Sequence, residues 1–174
     1  MRRLQCLLGG LLALGLLSDA SIAGAEAIKI VALGASNTTG EGVTSQEAWP
    51  AQLQGMLRAK GYDVTVTVNA VNGATSADIL GRTAAAVTPG TRVVVYETGV
   101  PNDRRKGIPP AQSQANIAQI ASLIRAAGAV AILSGKNKLA SSDLPDGEHA
   151  NAAGHALIAA RLLPQVIAAI GKHK

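Results

Sequence analysis

Phenylalanine is absent from this sequence, and one tryptophan and two tyrosines leave only 2% aromatic residues. Proteins that bind single-stranded nucleic acid need aromatic faces on which bases stack, and this chain has almost none. Nucleic acid is therefore not an expected partner, and an aromatic-lined sugar cleft is not expected either. Cysteine is nearly missing as well. Cys6 is the single one and falls inside a basic-then-apolar leader: Met1-Arg2-Arg3, then the apolar run Leu4 to Leu17, then small residues for cleavage in Ser21-Ile22-Ala23 or Ala23-Gly24-Ala25. That three-part build is that of a secretory signal peptide. The run is short for a membrane span and is broken by Gly9, Gly10 and Gly15, so a stable anchor is not expected after cleavage. We read residues 1–25 as a cleaved leader and 26–174 as one domain, exported to the periplasm or beyond. The mature chain would then have no thiol, which excludes thiol catalysis and cysteine-ligated metal.

Charge of one sign is also scarce. The formal net charge is +5, and removal of Arg2, Arg3 and Asp19 leaves 14 basic against 10 acidic residues. What the chain does have is apolar content, 48% of 174 residues, ample for one folded core.

After the leader, strand-like and helix-like segments alternate. Ile28–Leu33 reads as a buried strand, Ala51–Lys60 as an amphipathic helix after Pro50, and Val64–Val68 as a β-branched strand. Ser76–Val87 reads as a helix, Arg92–Glu97 as a strand, Gln112–Ala127 as a helix, Ala129–Leu133 as a strand, and Asn151–Ile170 as a final helix capped by Asn151. This alternation predicts an α/β fold, a parallel sheet covered by helices on both faces. Ligands in such folds bind beyond the carboxyl ends of the strands.

The polar residues that could carry chemistry all follow strands. Ser36 follows the first, Asn72-Gly73 the second, Asn102-Asp103 the third, and Asp146 and His149 lie between the fourth strand and the last helix. Four loops thus leave the same edge of the sheet. There His149 can act as general base on the Ser36 hydroxyl, with Asp146 fixing the imidazole tautomer. Backbone N–H groups of Ser36 and Gly73, with the Asn102 amide, can receive the oxyanion. Glycine at 73 allows close approach of backbone to substrate.

These residues resemble the blocks of the SGNH, or GDSL-type, hydrolase family of esterases and lipases. Gly34-Ala35-Ser36-Asn37-Thr38 is similar to its first block, Asn69 to Gly73 to its second, Asn102-Asp103 to its third, and Asp146-x-x-His149 to its last. The resemblance implies a flavodoxin-like three-layer sandwich with four to five parallel strands. It also implies cofactor-free, metal-free hydrolysis of small esters or thioesters. By position it makes Ser36, Asp146 and His149 the catalytic residues and Ser36, Gly73 and Asn102 the oxyanion hole. The sequence departs from the pattern at Ala35, where the family has aspartate, at Val100-Pro101, where it has glycine two residues before the asparagine, and at Ala150, where it has proline. Those departures leave room for a second reading, an inactive binding protein of the cell envelope on the same fold.

Several neighbouring features are read more simply. Gly34 to Gly42 lacks the lysine and spacing of a phosphate-binding loop. Arg104, Arg105, Lys106, Lys136 and Lys138 follow the third and fourth strands and form either solvated loops or a positive rim that draws anionic esters. His155 is expected on the surface of the last helix and His173 in the tail, with no metal site between them. Trp49 and Met56 are expected in the core or at its rim. Only about a dozen residues separate the fourth strand from Asp146, too few for a substrate cap, and a monomer is expected.

Overall fold

The computed structural model describes residues 26–135 and 139–171. The leader, Lys136, Lys138 and His173 lie outside the described residues. Four strands form one parallel sheet: β1 (Ile28–Gly34), β2 (Val64–Ala70), β3 (Thr91–Tyr96) and β4 (Val130–Leu133). Among the described residues six helices connect and cover them: α1 (Ser36–Thr39), α2 (Trp49–Ala59), α3 (Ser76–Ala86), α4 (Val100–Arg105), α5 (Pro110–Ala126) and α6 (Ala152–Gly171). A short 3-10 turn spans Ser141–Asp143.

The strand order is β2-β1-β3-β4. The chain steps outward from β1 to β2 and then returns across β1 to β3. That reversal opens a crevice between the carboxyl ends of β1 and β3, the place where doubly wound sheets bind ligands.

Side chains alternate between the two faces, as strand geometry requires. Ile30 and Ala32 of β1 and Val93 and Val95 of β3 pack on one side with Leu53 and Leu57 of α2 and Ile158, Leu162 and Val166 of α6. Val31, Leu33, Val94 and Tyr96 pack on the other with Ile79 of α3 and Ile120 and Ile124 of α5. The central strands are buried on both faces, which explains their nearly unbroken apolar sequences. Helix α6 is long and apolar enough to span a membrane by composition, but its apolar stripe is used in this core. Leu53 is 0% exposed. Truncation to alanine should lower the unfolding free energy by about 2–5 kcal/mol in urea titrations, because a buried cavity replaces its contacts.

His155 corrects the sequence reading. It is 0% exposed, packed under α2, and its Nδ1 accepts a hydrogen bond of 3.3 Å from the Trp49 backbone N–H. Its Nε2 has no partner among the described residues. Positions 155, 158, 159, 162 and 166 share one helical face, so the apolar stripe of α6 carries the imidazole inward with it. Burial pushes its pKa below the ordinary 6.5, while the Glu47 carboxylate works weakly in the opposite direction. Below pH 6.5 the unfolded chain therefore takes up a proton at this ring that the folded chain refuses. The fold should lose stability as pH falls from 6.5 toward the depressed pKa, by at most about 1.4 kcal/mol per pH unit. Thermal melts at pH 7 and pH 5 should show this drop in the parent and a smaller one in His155→Gln.

Candidate active site

Ser36 stands two residues beyond Gly34, the last residue of β1, at the start of α1, and is 4% exposed. Helix α1 is one turn long and its N-cap, Ala35, contributes no side-chain hydrogen bond. The turn is held from outside. The Oε2 oxygen of Glu97, just past β3, accepts from the Ala35 backbone N–H at 2.9 Å and from the Thr38 hydroxyl at 2.8 Å. Gly34 makes room for this: a Cβ there would lie 2.4 Å from Thr38 Oγ1 and 2.8 Å from Glu97 Oε2.

His149 reaches the site from the loop preceding α6. Asn37, next to Ser36, grips that loop at two backbone points. Its amide donates to the Glu148 carbonyl at 3.2 Å and its side-chain oxygen accepts from the Ala150 N–H at 3.0 Å. Asp146 Oδ1 accepts from the backbone N–H groups of Glu148 at 2.8 Å and His149 at 2.7 Å, closing a tight turn. Its other oxygen lies 2.6 Å from His149 Nδ1. The far ring nitrogen, Nε2, lies 3.0 Å from Ser36 Oγ. Carboxylate, imidazole and hydroxyl thus form one continuous hydrogen-bonded chain across two loops 113 residues apart in sequence.

The electrostatics suit that chain. The Asp146 carboxyl is held well below the usual carboxylate range, first by the His149 backbone N–H, then by the His149 ring and the Glu148 N–H. It stays ionised at any pH where an imidazole titrates. An ionised Asp146 requires the proton of neutral His149 to sit on Nδ1, leaving Nε2 as the acceptor facing Ser36. Glu41 Oε2 lies 3.4 Å from the same Nε2, so a second carboxylate borders the ring.

The oxyanion donors named from the sequence meet the site to different degrees. The backbone N–H groups of Ser36 and Gly73 have no acceptor among the described residues. At Gly73 a Cβ would meet nothing within 4 Å, so the space before this backbone is open. The Asn102 side chain is 4% exposed, and its amide nitrogen donates to the Ala74 carbonyl at 2.8 Å. One of its two N–H groups is thereby committed to structure, which the sequence did not foretell. Its oxygen accepts from Arg105.

Helix α4, which carries Asn102, is preceded by Gly99 as its N-cap with φ of +72°, and a Cβ there would lie 2.6 Å from the Ser76 nitrogen. Asp103, 0% exposed, extends the same contact by accepting from the Ser76 N–H at 2.9 Å. Gly99 stands one residue earlier than the family pattern would place it, yet it serves the close approach. Gly99→Ala should destabilise the fold by about 2–4 kcal/mol in urea unfolding, combining left-handed strain with overpacking.

The basic rim requires a second correction. Arg105 forms an ion pair with the Glu148 carboxylate, besides its bond to Asn102. Its charge is offset, and its guanidinium joins α4 to the histidine loop. Lys106 lies 4.0 Å from Asp78. Arg104 remains exposed. Glu97, Asn37 and Arg105 are the site residues that the sequence reading left without a role or gave a different one. An acid directly after the apolar run Val93 to Tyr96 was the available signal for Glu97.

The stretch 32–156 matches the model of the GDSL-like lipase/acylhydrolase family. The chain belongs to that family. Within the family it is 38% identical to esterase TesA of Pseudomonas aeruginosa over 130 residues, 74% of this chain and 62% of that protein. It is 32% identical to an arylesterase of Vibrio mimicus over 124 residues, 71% of this chain and 62% of that protein. The chain thus spans about three fifths of the length of the curated relatives it matches. A crystal structure of TesA superimposes with a TM-score of 0.71 over 81% of this chain and 99% of the other, at 24% identity. The SGNH-hydrolase family esterase AlinE4 does so with a TM-score of 0.57 at 28% identity, over 62% of this chain and 58% of the other. The GDSL-type fold is therefore shared, with a sheet of four strands among the described residues.

Proposed function

We propose that this GDSL-type chain is an exported, monomeric serine esterase that cleaves short-chain acyl or aryl esters through an acyl-enzyme on Ser36, with thioesters as a related substrate class. The observation that carries this reading is the unbroken contact from Asp146 to His149 Nδ1 and from Nε2 to Ser36 Oγ. The esterase and arylesterase names of the relatives support it, and they do not favour the alternative of an inactive binding protein.

The reaction follows from the geometry. Nε2 takes the Ser36 proton as Oγ attacks the ester carbonyl, and the imidazolium that forms is stabilised by Asp146 on one side and Glu41 on the other. The carbonyl oxygen becomes an oxyanion that the Ser36 and Gly73 N–H groups, and the remaining N–H of Asn102, can receive. The tetrahedral adduct collapses, His149 returns the proton to the departing alcohol, and the acyl group stays on Ser36. Water, activated by the same imidazole, then releases the acid and restores the serine.

Small substrates are favoured by the shape of the surroundings. A cavity of about 230 Å³ opens beside the Ser36 turn, lined by Asn37, Trp49, Glu97, Pro101 and Leu133 among others. It has the size for a short acyl group. Hydrolysis of p-nitrophenyl acetate, butyrate and octanoate tests this. We expect kcat/KM to fall from acetate to octanoate, and a preference for octanoate would contradict the short-chain reading.

A further inference from the structure

The acid that the family's first block carries before its serine is Ala35 here, so the nucleophile's turn lacks its own cap. We propose that Glu97 supplies that function from the neighbouring strand, as the positioning residue that sets where the Ser36 hydroxyl points. One carboxylate oxygen, Oε2, holds both ends of the turn, the Ala35 N–H at 2.9 Å and the Thr38 hydroxyl at 2.8 Å. Ser36 lies between those two anchors, and its Oγ must stay within hydrogen-bond reach of an imidazole delivered by a different loop. A single-turn helix without a capping side chain does not fix that position by itself.

Three further features fit this assignment. Thr38 is 0% exposed, so its hydroxyl needs a buried acceptor, and Glu97 provides it. The glycine at 34 is required by this arrangement, since a side chain there would occupy the space of the Thr38 hydroxyl and the Glu97 carboxylate. Glu97 also stands at the end of β3, beside the end of β1, so the sheet register itself delivers it to the turn: the Glu97 N–H donates to the Leu33 carbonyl at 2.9 Å. The second carboxylate oxygen makes no hydrogen bond among the described residues.

That last point separates position from charge. In Glu97→Gln the amide oxygen can take both anchors while the NH2 group replaces the free oxygen. In Glu97→Ala neither anchor survives. The kinetic part of the test rests on the esterase reading; the exchange part does not. With p-nitrophenyl acetate, Glu97→Gln should keep kcat within about threefold of the parent, because both hydrogen bonds persist. Glu97→Ala should lower kcat by about 10- to 100-fold with KM within about twofold, as expected for a nucleophile displaced by a fraction of an ångström. Amide hydrogen exchange over residues 35–40 should quicken by about tenfold or more in Glu97→Ala and stay near the parent rate in Glu97→Gln.

If Glu97→Ala does not fold, Thr38→Val, which removes one anchor, should show the same pattern in smaller measure. Parent-like kcat and parent-like exchange in Glu97→Ala would overturn the proposal. So would equal losses in the Gln and Ala variants, which would make the charge, not the hydrogen bonds, the active element. If the parent itself hydrolyses no ester, the esterase reading fails, while the exchange rates still decide whether Glu97 holds the turn.

Discussion

Ser36→Ala should lower kcat/KM for p-nitrophenyl acetate by at least about a thousandfold while leaving the circular dichroism spectrum and melting temperature close to those of the parent. The chemical reason is direct. Without Oγ no acyl-enzyme can form, and the residual rate comes from water acting alone beside the oxyanion donors. The structural reason for a preserved fold is that Ser36 Oγ makes one hydrogen bond among the described residues, with His149, while the α1 turn is held through the Ala35 N–H and the Thr38 hydroxyl. A variant that lost both fold and activity would say nothing about chemistry, and this site is placed so that the two can be separated.

Asp146→Asn should cost about 100- to 10,000-fold in kcat, although it changes one oxygen to nitrogen. The Oδ1 oxygen is tied to two backbone N–H groups, at 2.8 and 2.7 Å, and an asparagine would keep its carbonyl oxygen there because an NH2 group cannot accept those bonds. The amide NH2 is then forced toward His149 Nδ1, where it must donate. The ring proton moves to Nε2, and the nitrogen that faces Ser36 becomes a donor with no capacity to take the hydroxyl proton. Backbone geometry thus turns an isosteric substitution into a change of tautomer. The pH–rate profile gives a second check. Because Asp146 is held ionised well below the ordinary carboxylate range, activity in the parent should show no loss attributable to its protonation at pH values where the fold persists. Asp146→Ala should be milder in its effect on tautomer, as it forces neither form, but it releases the turn that aims the imidazole.

Most of the scaffold was legible because its physics is local. Strands buried on both faces have to be apolar throughout, as Ile28–Leu33 and Arg92–Glu97 nearly are, and each helix of ten or more residues shows an apolar stripe. Boundaries moved by one to two residues: the helix expected from Ala51 starts at Trp49, and the strand expected to end at Val68 runs to Ala70. Helices α1 and α4 were not foreseen. Ser36-Asn37-Thr38-Thr39 has poor helix formers, and Val100-Pro101 looks like a loop, so both turns exist because of tertiary contacts.

The meeting of the candidate residues was legible for a different reason: four loops after four parallel strands must share an edge. What that rule cannot give is which side chain each residue meets. Arg105 was expected on a basic rim, but its partner Glu148 lies 43 residues away, and nothing in either segment announces the pair. Glu97 meets Ala35 and Thr38 across still longer separations, 62 and 59 residues. His155 was misplaced although its spacing to Ile158, Ala159 and Leu162 put it on the buried face. The polarity of the residue was given more weight than the period of the helix.

The central claim is that Ser36 is activated by His149 as a nucleophile. Intact-protein and peptide mass spectrometry after treatment with a fluorophosphonate measures this most directly, since the reagent phosphonylates a hydroxyl whose proton a neighbouring base removes. The account predicts one adduct per chain, carried by the peptide containing Ser36, and its loss in His149→Ala. An unlabelled parent, or a label on any other residue, would contradict it.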